Sequence, residues 1–465
     1  MREKLGEKGI TTVAFVLSIM VVAAIVGAAV YVATPKKEAE VPATVENFLM
    51  QADPELIKDA LRDYVDPGIL ADVFGELRLP SEPRYPGQCV LAIEHFSPIA
   101  GTTWCGALDR AATRLTEKYS WLEYVYREEI SSDLTNSTAE ALIADEGADI
   151  VLGAAEFMGM PLADIADDYP DVSFSSIIAS DLTTKKNFIR FFPRQYQVLY
   201  LEGLIAGALT ETGNIGIVSA FPCVQVNRRQ NGLYLGIMDA AELLGKDITL
   251  YVKYATDWYL PTEEAEIART LVDTYNCDVI TQQTDSGSTL DVAEDKGIWF
   301  VGKDMDIVGY YGWSDEETVA VSWDTRWEVG LEMMIKDWMS GDKTPETILF
   351  PGMDRHIILA DGTVLPTVDL QNNNRVGIDA ISPYALPLIE DEIVDLVENR
   401  RDQMMNMEWD PFYVHEFVSN GTGLELPGLP VPAEGTVVKP ANEMPTDEWL
   451  LSEFNFDLEG IVILE

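Results

Sequence analysis

The sequence predicts an α/β fold made of two consecutive sets of βα units, each set around its own parallel sheet. After residue 88, short apolar runs alternate with stretches of helical period, the pattern of strands joined by crossover helices. Two such sets in succession take up about 230 residues, more than one doubly wound sheet normally holds, so two lobes with a cleft between them are the economical reading. With 47% hydrophobic residues and 33 Gly and 24 Pro in a chain of 465, the composition is that of a folded protein with large cores.

The elements follow in chain order. From residue 10 to residue 34 no charged side chain occurs, and at about 1.5 Å per residue this run is long enough to cross a bilayer core of about 30 Å. It reads as a transmembrane or signal anchor after a short cytoplasmic or signal region at 1–9. Arg2, Lys4 and Lys8 precede the run and no net charge follows it at Lys36, Lys37, Glu38 and Glu40, so the bulk of the chain is expected outside the cell. A lipid-modified cysteine is excluded, because the first cysteine is Cys89. Residues 35–87 read as a stalk with a small helical cap, closing on Pro80, Pro83, Pro86 and Gly87.

Lobe 1 is expected at 88–212. Its strands are placed at 89–94, 122–126, 149–153 and 172–178, and its first helix presents Leu108, Ala111, Ala112 and Leu115 on one face. A long helix at 194–210 closes the set. Lobe 2, at 213–320, has strands at 214–219, 248–254, 278–283 and 298–302, with helices near 231–244, 262–275 and 289–295 between them. A helix at 327–339 is expected to return to lobe 1. Residues 340–465 are loop-rich and read as a segment that wraps and contributes to the lobes. The cysteines at 89, 105, 223 and 277 form no C-x-x-C pair, so metal spacing is absent, while one or two disulfides are open to them outside the cell.

Charge narrows the function. Against 32 Lys and Arg stand 78 Asp and Glu, a net charge of −46, which excludes a general nucleic-acid binder. In parallel α/β sheets the loops at the carboxyl ends of the strands form the binding crevice. Those loops hold Trp104, Phe157, Asn231, Trp258, Asp285 and Asp306. Aromatic faces beside amide and carboxylate acceptors suit a flat, neutral ligand such as a purine. Each residue also has a plainer reading: a loop tryptophan can plug a core, an Asp before a helix can cap it, and Asn231 can equally cap its own helix.

The same loops carry a family resemblance. The segments are Ser97-Pro98-Ile99 with Trp104, Arg194-Gln195-Tyr196 through Gly203 and Ala206-Gly207, and Gly216-Ile217-Val218 through Pro222 with Asn231-Gly232 and Gly236. Trp258, Glu264, Cys277-Asp278-Val279-Ile280, Gln283-Thr284-Asp285-Ser286, Ala293-Glu294 and Gly302 continue it. In order and spacing from about residue 88 to the C-terminus, they resemble the basic-membrane-protein family of ABC-transporter substrate-binding proteins, relatives of the purine-nucleoside-binding lipoproteins. The resemblance implies a type I periplasmic-binding-protein fold, two Rossmann-like lobes joined by a hinge, with ligand enclosed between them. Trp104 and Phe157 match its aromatics after the first and third strands. Asn231, Trp258 and Asp285 match positions lining or supporting the cleft, and Asp306 a carboxylate after the strand ending at Gly302. Thr103 stands where the subgroup usually has glycine, and Lys303 is unusual beside the cleft.

The resulting expectation is an anchored solute-binding protein that takes a purine nucleoside or base and delivers it to an ABC permease, as a monomer without a cofactor or metal. The alternatives are a ligand-sensing ectodomain of the same fold, or a binding protein for another small neutral polar ligand. An enzyme is not expected: His95, His356 and His415 are scattered, and no G-x-S-x-G, H-E-x-x-H or G-x-x-x-x-G-K-[ST] occurs.

Overall fold

A computed structural model describes residues 88–100, 103–177, 185, 187–340, 348–358 and 364–465. The expected anchor at 10–34 and the stalk and cap at 35–87 lie outside the described residues. Among the described residues no helix is long and apolar enough to cross a membrane. Everything below concerns the compact unit of residues 86–338 and 343–465.

Continuous apolar runs become central strands, as burial on both faces requires. The first set runs β1 (Cys89–Glu94), α1 (Thr103–Lys118), β2 (Leu122–Arg127), α2 (Thr135–Glu146), β3 (Ile150–Gly153), α3 (Gly159–Ile165), β4 (Ser173–Ile177) and β5 (Phe188–Phe191). All six residues of β1 are buried. Val90, Ala92, Val151 and Phe174 pack there against Leu142 of α2 and Leu162 of α3. The chain then passes through α4 (Tyr196–Leu209) to the second set.

That set runs β6 (Asn214–Ser219), α5 (Val224–Leu244), β7 (Thr249–Tyr254), α6 (Pro261–Tyr275), β8 (Val279–Gln282), α7 (Ser288–Lys296), β9 (Trp299–Val301) and β10 (Val319–Thr325). Left-handed residues at Gly245, Asn276 and Gly297 stop three of its helices. Next come α8 (Trp327–Ser340), β11 (Ile348–Leu349), β12 (His356–Ile358), β13 (Val364–Pro366), β14 (Val368–Asn372) and β15 (Arg375–Val376). The tail forms α9 (Asp391–Met405), α10 (Pro411–Val414), β16 (Phe417–Gly423), β17 (Val437–Lys439), α11 (Asp447–Ser452), β18 (Phe456–Leu458) and β19 (Ile461–Leu464).

The first sheet has the order β11-β5-β4-β3-β1-β2 and the second β15-β14-β10-β9-β8-β6-β7-β19. Within each, the five consecutive strands of the βα set are parallel and follow one order, β2-β1-β3-β4-β5 and β7-β6-β8-β9-β10. Each sheet therefore has a switch point, between β1 and β3 and between β6 and β8, where the loops after neighbouring strands diverge.

Three segments cross between the sheets: one through α4, one through α8, and one through the β12–β13 hairpin. Helix α8 lies back on α1 of the first set, with Arg114 to Glu328 at 2.5 Å and Lys118 to Glu332 at 2.6 Å. Helices α4 and α5 approach so closely that a Cβ on Gly203 would collide with the Leu233 carbonyl, and one on Gly236 with the Tyr200 carbonyl. The tail adds β14, β15 and β19 to the second sheet. It also builds an aromatic cluster on α4, where Tyr196 stacks on Phe412 at 3.9 Å and Phe417 on Phe454 at 5.1 Å.

Strands β5 and β10 are absent from the pattern read along the sequence, because Arg190 interrupts the first and Ser322, Asp324 and Thr325 give the second a polar look. Cys89, Cys105, Cys223 and Cys277 are all buried.

Candidate functional site

The two switch points supply the site. A cavity of about 340 Å³ is lined by Phe96 beyond β1, Trp104 in the first turn of α1, and Ala154, Ala155, Glu156 and Phe157 beyond β3. The second half contributes Phe221, Cys223 and Gln225 beyond β6, Trp258 beyond β7, and Asp285 beyond β8.

Trp104 is buried, and its indole N–H donates to the Ala154 carbonyl at 2.9 Å, which fixes the ring's tilt. It stacks on Phe192 with centroids 6.2 Å apart and meets Trp327 edge-on at 5.0 Å. Phe157 sits in a single 3-10 turn, Glu156–Met158, edge-on to Phe96 at 6.2 Å, and remains 41% exposed, so its ring is available at the cavity mouth. Trp258 meets Phe221 edge-on at 5.0 Å. Its carbonyl accepts the Asp285 N–H at 2.8 Å, which binds the loops after β7 and β8 together.

Asp285 is the polar corner. Its carboxylate accepts from Lys303 Nζ at 2.5 Å and from the Thr103 hydroxyl, which belongs to the first half, at 3.3 Å. Burial raises its pKa above the ordinary carboxylate value, and the Lys303 ammonium pulls the other way. Lys303 also donates to the Thr284 carbonyl at 2.7 Å and lies 3.4 Å from Asp304.

Of the residues proposed from sequence, Trp104, Phe157, Trp258 and Asp285 meet at this cavity, with Lys303 held behind Asp285. Asn231 and Asp306 are elsewhere. The Asn231 amide donates to the Phe456 carbonyl at 2.8 Å and its oxygen accepts from Leu458 N–H at 3.0 Å, so both ends of the side chain hold β18. Asp306 accepts from the N–H groups of Gly309 and Asn373 at 2.7 Å and of Asn374 at 2.6 Å, closing the π-turn Ile307–Tyr311 onto the β14–β15 loop. His95, just past β1, is buried against the Tyr124 hydroxyl at 3.0 Å and does not line the cavity.

Phe96, Glu156, Phe221, Cys223 and Gln225 also line the cavity and are not among the seven candidates, although each lies within a few residues of a predicted strand end. Among the described residues no group of three or more His, Cys, Asp or Glu is placed to hold a metal. A larger cavity of about 620 Å³ lies at the amino ends of the second sheet. Its polar groups are already engaged with one another: Asp278 accepts from the Thr210 hydroxyl at 2.6 Å and the Glu211 N–H at 2.8 Å, and Lys246 caps the Ala208 carbonyl at 2.7 Å.

Comparison with known proteins bears on the same region. Residues 91–367 match the family model Bmp, described as ABC transporter substrate-binding protein PnrA-like. The chain is 31% identical over 230 residues to a Haloferax volcanii protein whose given name assigns it to glucose binding for an ABC transporter; the match covers 50% of this chain and 56% of that one. It is 26% identical over 217 residues to a purine-binding protein of Brucella abortus, covering 46% of this chain and 60% of the relative. The matches thus span little more than half the length of these relatives. Among solved structures, an ABC transporter solute-binding protein from Aeropyrum pernix K1 superposes with a TM-score of 0.56 at 16% identity, over 69% of this chain and 92% of that one. A transcriptional activator from Bacillus halodurans gives 0.52 at 17%, over 70% and 99%. At such identities the likeness is one of fold.

Proposed function

The chain belongs to the Bmp family of PnrA-like ABC transporter substrate-binding proteins, and from that premise we propose that it binds a purine nucleoside or purine base between its two halves and delivers it to an ABC permease. The observation that carries the reading is the makeup of the cavity: five aromatic rings, from Phe96, Trp104, Phe157, Phe221 and Trp258, surround a space that has Asp285, Glu156 and Gln225 as its polar groups. Aromatic walls offer the dispersion and offset stacking that a heterocycle uses, and the few acceptors suffice for its N–H groups or for ribose hydroxyls. A volume of about 340 Å³ falls at the lower end of the range usual for small-molecule sites.

Binding works by population shift. A ligand that touches Trp104 on one half and Asp285 on the other makes both sets of contacts only when the halves are closed, so it stabilises the closed form by the difference in its affinity for the two forms. The reading places this body outside the cell, held to the membrane by the apolar run at 10–34.

A second ligand class is favoured by one observation, the name of the Haloferax volcanii relative. A hexose could stack one face on an indole, but each of its hydroxyl groups needs a polar partner when buried, which this lining supplies less well. Titration calorimetry of the full chain against adenosine, guanosine, inosine, adenine, hypoxanthine and glucose separates the two. Binding of at least one purine in preference to glucose is expected; heat with glucose and none with any purine overturns the purine reading.

A further inference from the structure

We infer that Asp304 is a positioning residue that couples occupancy of the cavity to two of the segments crossing between the sheets. The inference rests on reading the cavity as the ligand site, and it begins from an oddity of the backbone. Asp304 is completely buried two residues beyond Gly302 and holds a φ of 56°, a conformation uncommon for a residue with a Cβ. Such a conformation persists where the surroundings over-determine it. The surroundings here are side chains from three places in the chain.

On the cavity side stands Lys303, whose ammonium is shared between two carboxylates, Asp285 at 2.5 Å and Asp304 at 3.4 Å. On the other side, Arg229 Nη2 donates to Asp304 at 3.1 Å, and the Gln195 amide donates to it at 3.3 Å. Gln195 opens the first crossing segment, immediately before α4. The same amide nitrogen donates to the Thr325 hydroxyl at 2.9 Å, at the point where β10 ends and the second crossing segment starts. Gln195 is held in this orientation because its oxygen accepts from Arg229 Nε at 2.7 Å. The chain of bonds therefore runs from Thr103 and Asp285 in the cavity, through Lys303 and Asp304, to Gln195 and Thr325. Gln195, Arg229, Asp285, Lys303, Asp304 and Thr325 are all buried, so these bonds are little weakened by water.

The shared ammonium makes the chain responsive. A ligand that donates to Asp285 competes with Lys303 for that carboxylate, and Lys303 then leans on Asp304. A more strongly neutralised Asp304 attracts Arg229 and Gln195 less, so the tie between the two crossing segments changes as the cavity fills. Coupling free energies between sites of this kind are commonly about 1–3 kcal/mol, a factor of about 5 to 150 in affinity.

The test uses the full chain with spin labels on two exposed helical positions, Glu140→Cys on α2 and Glu266→Cys on α6. It compares the distance distribution by pulsed electron resonance, and inosine dissociation rates by stopped flow, for the wild type, Asp304→Asn and Thr325→Val. Asp304→Asn is expected to shift or broaden the distribution without ligand and to speed inosine dissociation by about tenfold. Thr325→Val, which removes one hydroxyl and leaves every charge, is expected to move both in the same direction by less. A residue that merely stabilised the fold would lower the melting temperature and leave both readouts of the folded protein unchanged. Wild-type distance distributions in both variants overturn the coupling even where inosine binds. If the wild type binds no purine but the variants still shift the distribution, the purine reading fails while the tie of Asp304 to the crossing segments stands; without an occupant the coupling to occupancy is overturned.

Discussion

Trp104 illustrates how one side chain can satisfy both of the readings a sequence allows it. Its buried indole packs among Phe192 and Trp327 as a core plug would, while another part of the ring lines the cavity. Trp104→Ala is therefore expected to weaken nucleoside binding by about 1–3 kcal/mol, the range for loss of a stacking partner, as read by calorimetry. The melting temperature should fall as well. Trp258→Ala, with Trp258 only half-buried at the cavity wall, should lose affinity with a smaller drop in stability. His415 offers a pH test away from the site. Burial lowers its pKa, but the Asp239 carboxylate at 3.0 Å and the Pro411 carbonyl at 2.8 Å outweigh that and raise it above the ordinary value, with Arg400 opposing. A raised folded-state pKa gives stability that is complete below about pH 6.5 and is lost as pH rises through the raised value. The melting-temperature gap between wild type and His415→Gln is thus expected to be widest on the acid side and to close as the medium turns alkaline. At this scale the sequence told part of the story: four of the seven proposed residues line the cavity. Asn231 and Asp306 escaped because an amide or carboxylate near a strand end serves equally well to hold a neighbouring backbone, and only the position of β18 and the β14–β15 loop reveals which use it has.

Among the elements, the α4–α5 pair leaves almost no tolerance at its contact. Gly203 and Gly236 let the two backbones touch where any Cβ would strike a carbonyl of the facing helix, so the helices themselves must separate to admit a methyl group. Gly236→Ala is expected to cost at least about 2 kcal/mol, at the upper side of what overpacking usually costs, measurable as a lower urea midpoint. Gly245→Ala is a useful contrast. That glycine has open space around it but a φ of 63°, so its penalty is a smaller one of backbone conformation. The strands of the two central sets were legible because parallel strands buried on both faces spell out unbroken apolar runs, as in Cys89–Glu94. The tail was less so. Its strands β14 and β19 join a sheet whose other members lie far away in sequence, and local periodicity carries no record of such a partner.

At the level of the molecule, a net charge of −46 works against compactness. Repulsion between exposed carboxylates is screened over a distance of about 10 Å at roughly 0.1 M salt and about 3 Å at roughly 1 M. The melting temperature is accordingly expected to rise as potassium chloride increases across that range, with ligand affinity changing less because the cavity is mostly aromatic; scanning calorimetry with and without inosine separates the two effects. The strand order has a further consequence, concerning time rather than shape. The outer edge of β7 is paired by Ile461–Leu464, and the opposite flank of that sheet awaits Val368–Asn372. As the polypeptide emerges from the ribosome, β6 through β10 are complete before either flank is made; the β10 edge is covered once Val368–Asn372 appears, but the β7 edge stands open through nearly all of the remaining chain, until Ile461–Leu464. A halt in translation shortly before residue 461 would leave β7 free to recruit another molecule, which makes nascent chains of this length the ones most in need of a chaperone.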